Sequence, residues 1–294
     1  MSTRLPSVAP SAAAEAAGPP DGPTRRRSIV TVDRGRPSAD TDTVATEEPL
    51  QVRVDGEAFS VIMRTPGDDI DLTTGFLFAE SVITRWKSVT AIAQGRDRAG
   101  LPLHNVIDVT LERPRAARPR GRRVTTTSSC GLCGRQTIES LTVSAPRVEA
   151  TWSLTASAIV ALPGALRRVQ RVFDATGGLH GAALFDRRGT IVEWAEDVGR
   201  HNAVDKVIGR LVRADRLPLS DFGLVVSGRT SYEIVQKAYL AGVPIVVAVS
   251  APSSLAIELA ERGGLTLVGF VRDQRFVVYA HEERVAGAAD AARG

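Results

Sequence analysis

Residues 224–271 constrain the fold more than any other stretch. A short apolar run at 224–227 is followed by Thr230 and Glu233, spaced as a capping box that opens a helix. Gly242 and Pro244 stop that helix. Residues 245–250 are a continuous apolar run of strand length, and a second helix from about Ser254 to Arg262 ends on Gly263-Gly264. A third run, 265–271, turns at 272–274 into 276–279. Strands and helices in this order predict an α/β fold with a parallel sheet and right-handed crossovers. Ligands of such sheets bind beyond the carboxyl ends of the strands. Three loops gather there, at 227–229, 250–254 and 270–275. The first two lead into helix N-termini, which favour anions. The third brings Arg272 and Arg275. The convergence predicts a site for a phosphate-bearing ligand.

Upstream, the alternation at Leu50, Val52, Val54 and then Phe59, Val61, Met63 around Asp55-Gly56 predicts a hairpin. A short helix with mostly apolar faces follows at 70–79, and a strand at 106–111. Together these suggest a small β-rich part over residues 43–140. Residues 182–194 read as a second hairpin. Val204, Val207, Ile208, Leu211 and Val212 mark one face of an amphipathic helix. The larger α/β domain is expected over 141–284. Residues 1–42, rich in Ala, Pro, Ser, Gly and Arg, read as a disordered tail, as do 285–294.

No apolar run approaches the roughly 20 residues of a membrane helix, and the N-terminus lacks the apolar core of a signal peptide. The expected location is the cytoplasm, without membrane contact. A net charge of +4 with only 5% aromatic residues does not argue for nucleic acid, which needs stacking platforms among the basic runs. The densest basic run, Arg113 to Arg123, holds six arginines and two prolines in eleven residues just ahead of the cysteines. It reads as an exposed loop, or as one that attracts an anion or favours a nearby thiolate.

The chain has only two cysteines, Cys130 and Cys133, in Ser128-Ser129-Cys130-Gly131-Leu132-Cys133-Gly134. Closing so small a loop stabilises a large domain little. One thiol at this spacing can hold a persulfide while the other attacks it, forming a disulfide and releasing sulfur. Structural zinc needs four ligands, and His104, His180, His201 and His281 show no paired ligand spacing, so no structural zinc site is expected. The zinc deaminase signature is absent: Gly181-Ala182 follows His180, and Ser129 precedes Cys130. On the residues alone, sulfur chemistry, metal binding and an inert pair all stay open.

Three other clusters have a functional and a structural reading. Thr176-Gly177-Gly178-Leu179-His180 is either a ligand-approach turn or a tight turn with a hydrogen-bonded His. Residues 196–202 either line a pocket or form a cap in which Asp197 and Arg200 pair on the surface. Gly228-Arg229 either holds phosphate or carries an arginine paired with a carboxylate.

Taken together, the chain resembles the formate dehydrogenase accessory sulfurtransferase family, FdhD. The strings that carry the likeness are Glu47-Glu48-Pro49-Leu50, the run Arg64 to Asp69, Gly75 to Glu80, the Cys130–Cys133 segment, Thr176 to His180, Glu196 to Lys206, Ser250 to Leu255 and Gly264 to Phe270. The resemblance implies a cytidine-deaminase-like three-layer core with a smaller β-rich N-terminal part, and a homodimer. It implies a sulfurtransferase that relays persulfide sulfur from a cysteine desulfurase to the molybdenum bis(molybdopterin guanine dinucleotide) cofactor, for the benefit of formate dehydrogenase. Cys130 would carry the sulfur, with Cys133 assisting. Phe270, Val271, Arg272, Asp273, Gln274 and Arg275 would contact the cofactor. The chief rival is a non-enzymatic chaperone that binds cofactor and dehydrogenase without relaying sulfur; a second is a metal-dependent deaminase-like hydrolase.

Overall fold

The computed structural model describes residues 22–112, 125–126 and 145–287. The Arg-rich run and both cysteines lie outside the described residues.

The core of the larger part is a six-stranded sheet of β9 (His180–Phe185), β10 (Ile191–Asp197), β11 (Gly223–Val226), β12 (Ile245–Ala248), β13 (Thr266–Arg272) and β14 (Arg275–Ala280), in the order β10-β9-β11-β12-β13-β14. Strands β11, β12 and β13 are parallel, as the alternation with helices predicts, and the flanking strands are antiparallel. Helices α4 (Arg200–Arg213), α5 (Tyr232–Ala241) and α6 (Ser254–Gly263) pack on one face. Helix α2 (Ala156–Val169) packs on the other through Ile159, Leu162 and Leu166. Alternate strand residues divide between the faces. Leu224 and Val226 join the α4–α6 side, and Val225 joins α2. Because successive strand side chains point to opposite faces, burial on both explains why β11 and β12 are continuous apolar runs. The result is a three-layer α/β core.

The smaller part is a five-stranded sheet, β5-β6-β3-β4-β7, of β3 (Glu48–Val54), β4 (Glu57–Arg64), β5 (Val89–Arg96), β6 (Pro102–Leu111) and β7 (Thr125–Thr126). Helix α1 (Asp69–Ala79) leaves it and is buried on most sides. A helix with apolar residues on most faces must sit inside a core, and α1 sits against α4. Two glycines allow the contact. A Cβ at Gly209 would fall 1.9 Å from the Asp71 carbonyl oxygen, and one at Gly75 would fall 2.0 Å from that of Asp205. One apolar cluster therefore runs from Leu50, Val52 and Leu72 through Val204 and Val207 to Val246, so the two parts share a core.

Order begins earlier than the composition suggests. β1 (Thr24–Asp33) and β2 (Arg36–Ala45) pair as an antiparallel hairpin. Arg34 and Gly35 both take positive φ at its turn, as a two-residue hairpin turn demands. Its base is tied by Thr46 N donating to the Pro23 carbonyl and by the Arg25–Glu48 ion pair. Most of its side chains are exposed, so the apolar content that signals a strand was missing. At the other end, β15 (Val285–Ala286) pairs in parallel with β8 (Leu154–Thr155), and Val285 is buried. Order thus runs slightly past residue 284.

Candidate functional site

The carboxyl ends of β11, β12 and β13 lie on the same edge as the end of β10 and the start of β9, because β9 runs antiparallel to both its neighbours. Five segments converge on that edge: His180, residues 197–201, residues 227–231, residues 250–254, and the β13–β14 turn.

Behind the edge lies a buried polar joint. Asp197 is 0% exposed and Lys206 is 2% exposed. Lys206 Nζ stands 2.8 Å from Asp197 Oδ2 and donates to the carbonyls of Thr65 (3.0 Å) and Glu196 (3.2 Å). Asp197 also accepts from Thr65 N, Gly199 N and Asn202 Nδ2, and Asn202 in turn donates to the Met63 carbonyl. The joint stitches the smaller sheet to the start of α4. It replaces the expected surface pair of Asp197 with Arg200: full burial of Asp197 requires a buried cation, and Lys206, two turns into α4, supplies it. Arg64, 0% exposed, plays a similar part on the other side. It grips Asp69 with two 2.9 Å bonds and donates to Asn105, with Glu48 beside it.

At the edge itself, Ser231 is the N-cap residue of α5, one position later than the expected Thr230. Its hydroxyl donates to Glu233 Oε2 at 2.9 Å, and His201 Nε2 lies 2.9 Å from both oxygens. Burial pushes the Glu233 carboxyl up, but the His201 and Ser231 hydrogen bonds and the nearby charges outweigh it and hold it below its ordinary 4.5. The folded value is depressed, so the carboxylate stabilises the fold above pH 4.5, and that contribution is lost as pH falls through the lower folded value. Urea unfolding as a function of pH should therefore show a weaker acid dependence below pH 4.5 for Glu233→Gln than for the parent; identical slopes would contradict it.

His180 opens β9 opposite Gly228. A Cβ at Gly228 would lie 3.3 Å from His180 Nδ1 and 3.6 Å from Arg200 Cδ. Burial, then the charge of Arg200, lowers the His180 pKa, so the ring is neutral near pH 7. Among the described residues, neither Arg200 nor Arg229 pairs with a carboxylate. Further along, Thr230 bridges to Pro252, and Phe270 N donates to the Ser250 carbonyl. Phe270 is 37% exposed with φ +53°, and the Arg272 guanidinium lies 6.0 Å from its ring centre. Arg272, Asp273, Gln274 and Arg275 are exposed, whereas the Val271 side chain is buried.

The FdhD/NarQ family profile matches residues 45–286. The chain belongs to the FdhD/NarQ family. It is 45% identical over 284 residues to the sulfur carrier protein FdhD of Streptomyces avermitilis, covering 92% of this chain and 99% of that one. It is 47% identical over 266 residues to that of Nocardia farcinica, with 89% and 95% covered. A crystal structure assigned as a formate dehydrogenase accessory protein from Desulfotalea psychrophila is 26% identical, with a TM-score of 0.70 over 89% of this chain and 99% of that one.

Several FdhD-type strings turn out to be architectural. Glu48, Arg64 and Asp69 form the ion cluster, the Gly75–Glu80 string is the buried helix, and Asp197, Asn202 and Lys206 form the joint. The strings at 176–180, 250–255 and 264–270 reach the edge. Sequence reading missed the approach of His180, Gly228 and Arg200 to one another. The three lie in different elements, and no spacing links them. Cys130 and Cys133 lie outside the described residues. Among the described residues, no three His, Cys, Asp or Glu side chains are grouped to hold a metal, and no helix is long and apolar enough to cross a membrane.

Proposed function

We propose that this protein is a sulfur carrier that accepts sulfane sulfur from a cysteine desulfurase on Cys130 and passes it to a molybdenum bis(molybdopterin guanine dinucleotide) cofactor destined for formate dehydrogenase. The observation that carries the reading is chemical. The chain is 45% identical to a protein named a sulfur carrier, sulfur carriage of this kind needs a thiol, and Cys130 and Cys133 are its only two cysteines.

The Cys130 thiolate attacks the terminal sulfur of the donor persulfide. An S–S bond forms on Cys130, and the donor leaves as its thiolate. Cys133 thiolate then attacks the Cys130 sulfur, forming the Cys130–Cys133 disulfide and expelling hydrosulfide toward the metal. A cellular dithiol reductant restores both thiols. The cofactor is the substrate. Its guanine nucleotide end suits the β13–β14 turn, where Arg272 and Arg275 offer positive charge and Phe270 offers an exposed aromatic face. The resemblance further implies a homodimer acting in the cytoplasm, where thiols stay reduced.

Intact-protein and peptide mass spectrometry after incubation with a desulfurase and free cysteine tests the proposal. A mass increment of one sulfur atom is expected on the peptide holding Cys130, removable by a thiol reductant. Cofactor binding without any such adduct would favour the chaperone reading instead.

A further inference from the structure

The edge that ends at the β13–β14 turn has a second cationic end, at Arg200. Arg200 is the first residue of the fourteen-residue helix α4. Its Nε is buried, yet it has no hydrogen-bond partner among the described residues. Burying a guanidinium N–H unpaired is costly, so a site of this kind is poised for an acceptor. The α4 N-terminus, capped by Gly199 without a side-chain hydrogen bond, adds a positive dipole end. Across from it, Gly228 leaves open the space that a side chain would take beside His180 and the Arg200 stem. In the same loop, Thr230 is 1% exposed and its Oγ1 also lacks a partner among the described residues. Neutral His180 can donate or accept a hydrogen bond without repelling the guanidinium.

His180 sits at β9 and Phe270 at β13, and β11 and β12 lie between them. Three strand spacings make about 14 Å. One phosphate group cannot touch both ends, but an extended nucleotide-bearing ligand can.

We propose that the ligand groove runs the whole width of this edge, and that Arg200, with His180 and the Gly228 loop, is a second anchor for a phosphate or diphosphate group, opposite the Phe270–Arg275 turn. This rests on the reading that the protein takes a dinucleotide-bearing client, but the anchor itself is a claim about Arg200.

Titration calorimetry of the full chain with inorganic diphosphate at low salt tests it. The parent should bind. Arg200→Gln should bind at least about tenfold more weakly, since a charge-assisted hydrogen bond contributes about 1.5–3 kcal/mol. Gly228→Ala, which narrows the gap without touching the charge, should also weaken binding. Arg168→Gln, at an exposed position of α2 on the opposite face of the sheet, should bind like the parent. Since the Arg200 Nε has no partner to orphan, the variant should keep the parent's circular dichroism and melting temperature. Diphosphate binding that is absent in the parent, or unchanged in both Arg200→Gln and Gly228→Ala, overturns the proposal. Cys130→Ala separates the two readings. If it binds diphosphate normally and the parent never forms a persulfide, the sulfur reading alone has failed.

Discussion

Cys130→Ala, expressed in a host lacking its own copy of the gene, is expected to leave formate dehydrogenase at the background of the gene-less strain. The expected drop is about a hundredfold or more, because removing the nucleophile of a covalent relay leaves no other group to form the intermediate. With only two cysteines in the chain, no third thiol can stand in. Cys133→Ala should be milder if Cys133 only resolves the persulfide, since an external thiol can take over that attack. The measurement is formate oxidation in extracts, normalised to dehydrogenase protein, with the molybdenum content of the enzyme as a second readout. Full activity with Cys130→Ala would end the relay and leave a binding chaperone. Dehydrogenase that holds molybdenum but is inactive would locate the fault in sulfuration.

Lys206→Ala is expected to destabilise the protein by about 3–5 kcal/mol, the usual cost of removing one partner of a buried ion pair. The size follows from what is left behind. Asp197 is 0% exposed and would lose the one cation paired with it among the described residues, while the Thr65 and Glu196 carbonyls lose a donor. Because Thr65 directly follows β4 of the smaller sheet and Asp197 ends β10 of the larger one, the joint between the two parts should loosen first. Equilibrium urea unfolding gives the number. Pairing Lys206→Met with Asp197→Asn should recover much of the loss, since it removes the stranded charge. A Lys206→Ala penalty below about 1 kcal/mol would mean that solvent reaches the pair.

These two sites differ in how they can be read. The thiol pair is legible in sequence, because the chemistry proposed for it needs only two residues at short spacing. The Asp197–Lys206 pair is nine residues apart and looks like surface polarity until burial is known. The same contrast runs through the fold. The alternation at 224–271 announces the parallel strands, since each strand is a local apolar run and each helix a local period. Helix α2 was not legible. Pro163-Gly164 inside it reads as a break, and it persists because Ile159, Leu162 and Leu166 are buried against the sheet. The β1–β2 hairpin was equally hidden, because its exposed strands carry no apolar alternation.

By itself, then, the sequence determined the family, the three-strand parallel core and the two thiols on which the proposed sulfur relay depends. Each depends on residues close together along the chain. Only the tertiary structure decided that Asp197 is buried with Lys206, that α1 meets α4 through two glycines, and that Arg200 comes beside His180 and Gly228. Those facts depend on which distant segments exclude water from one another, and burial decides the cost of a charge in a way no local spacing records.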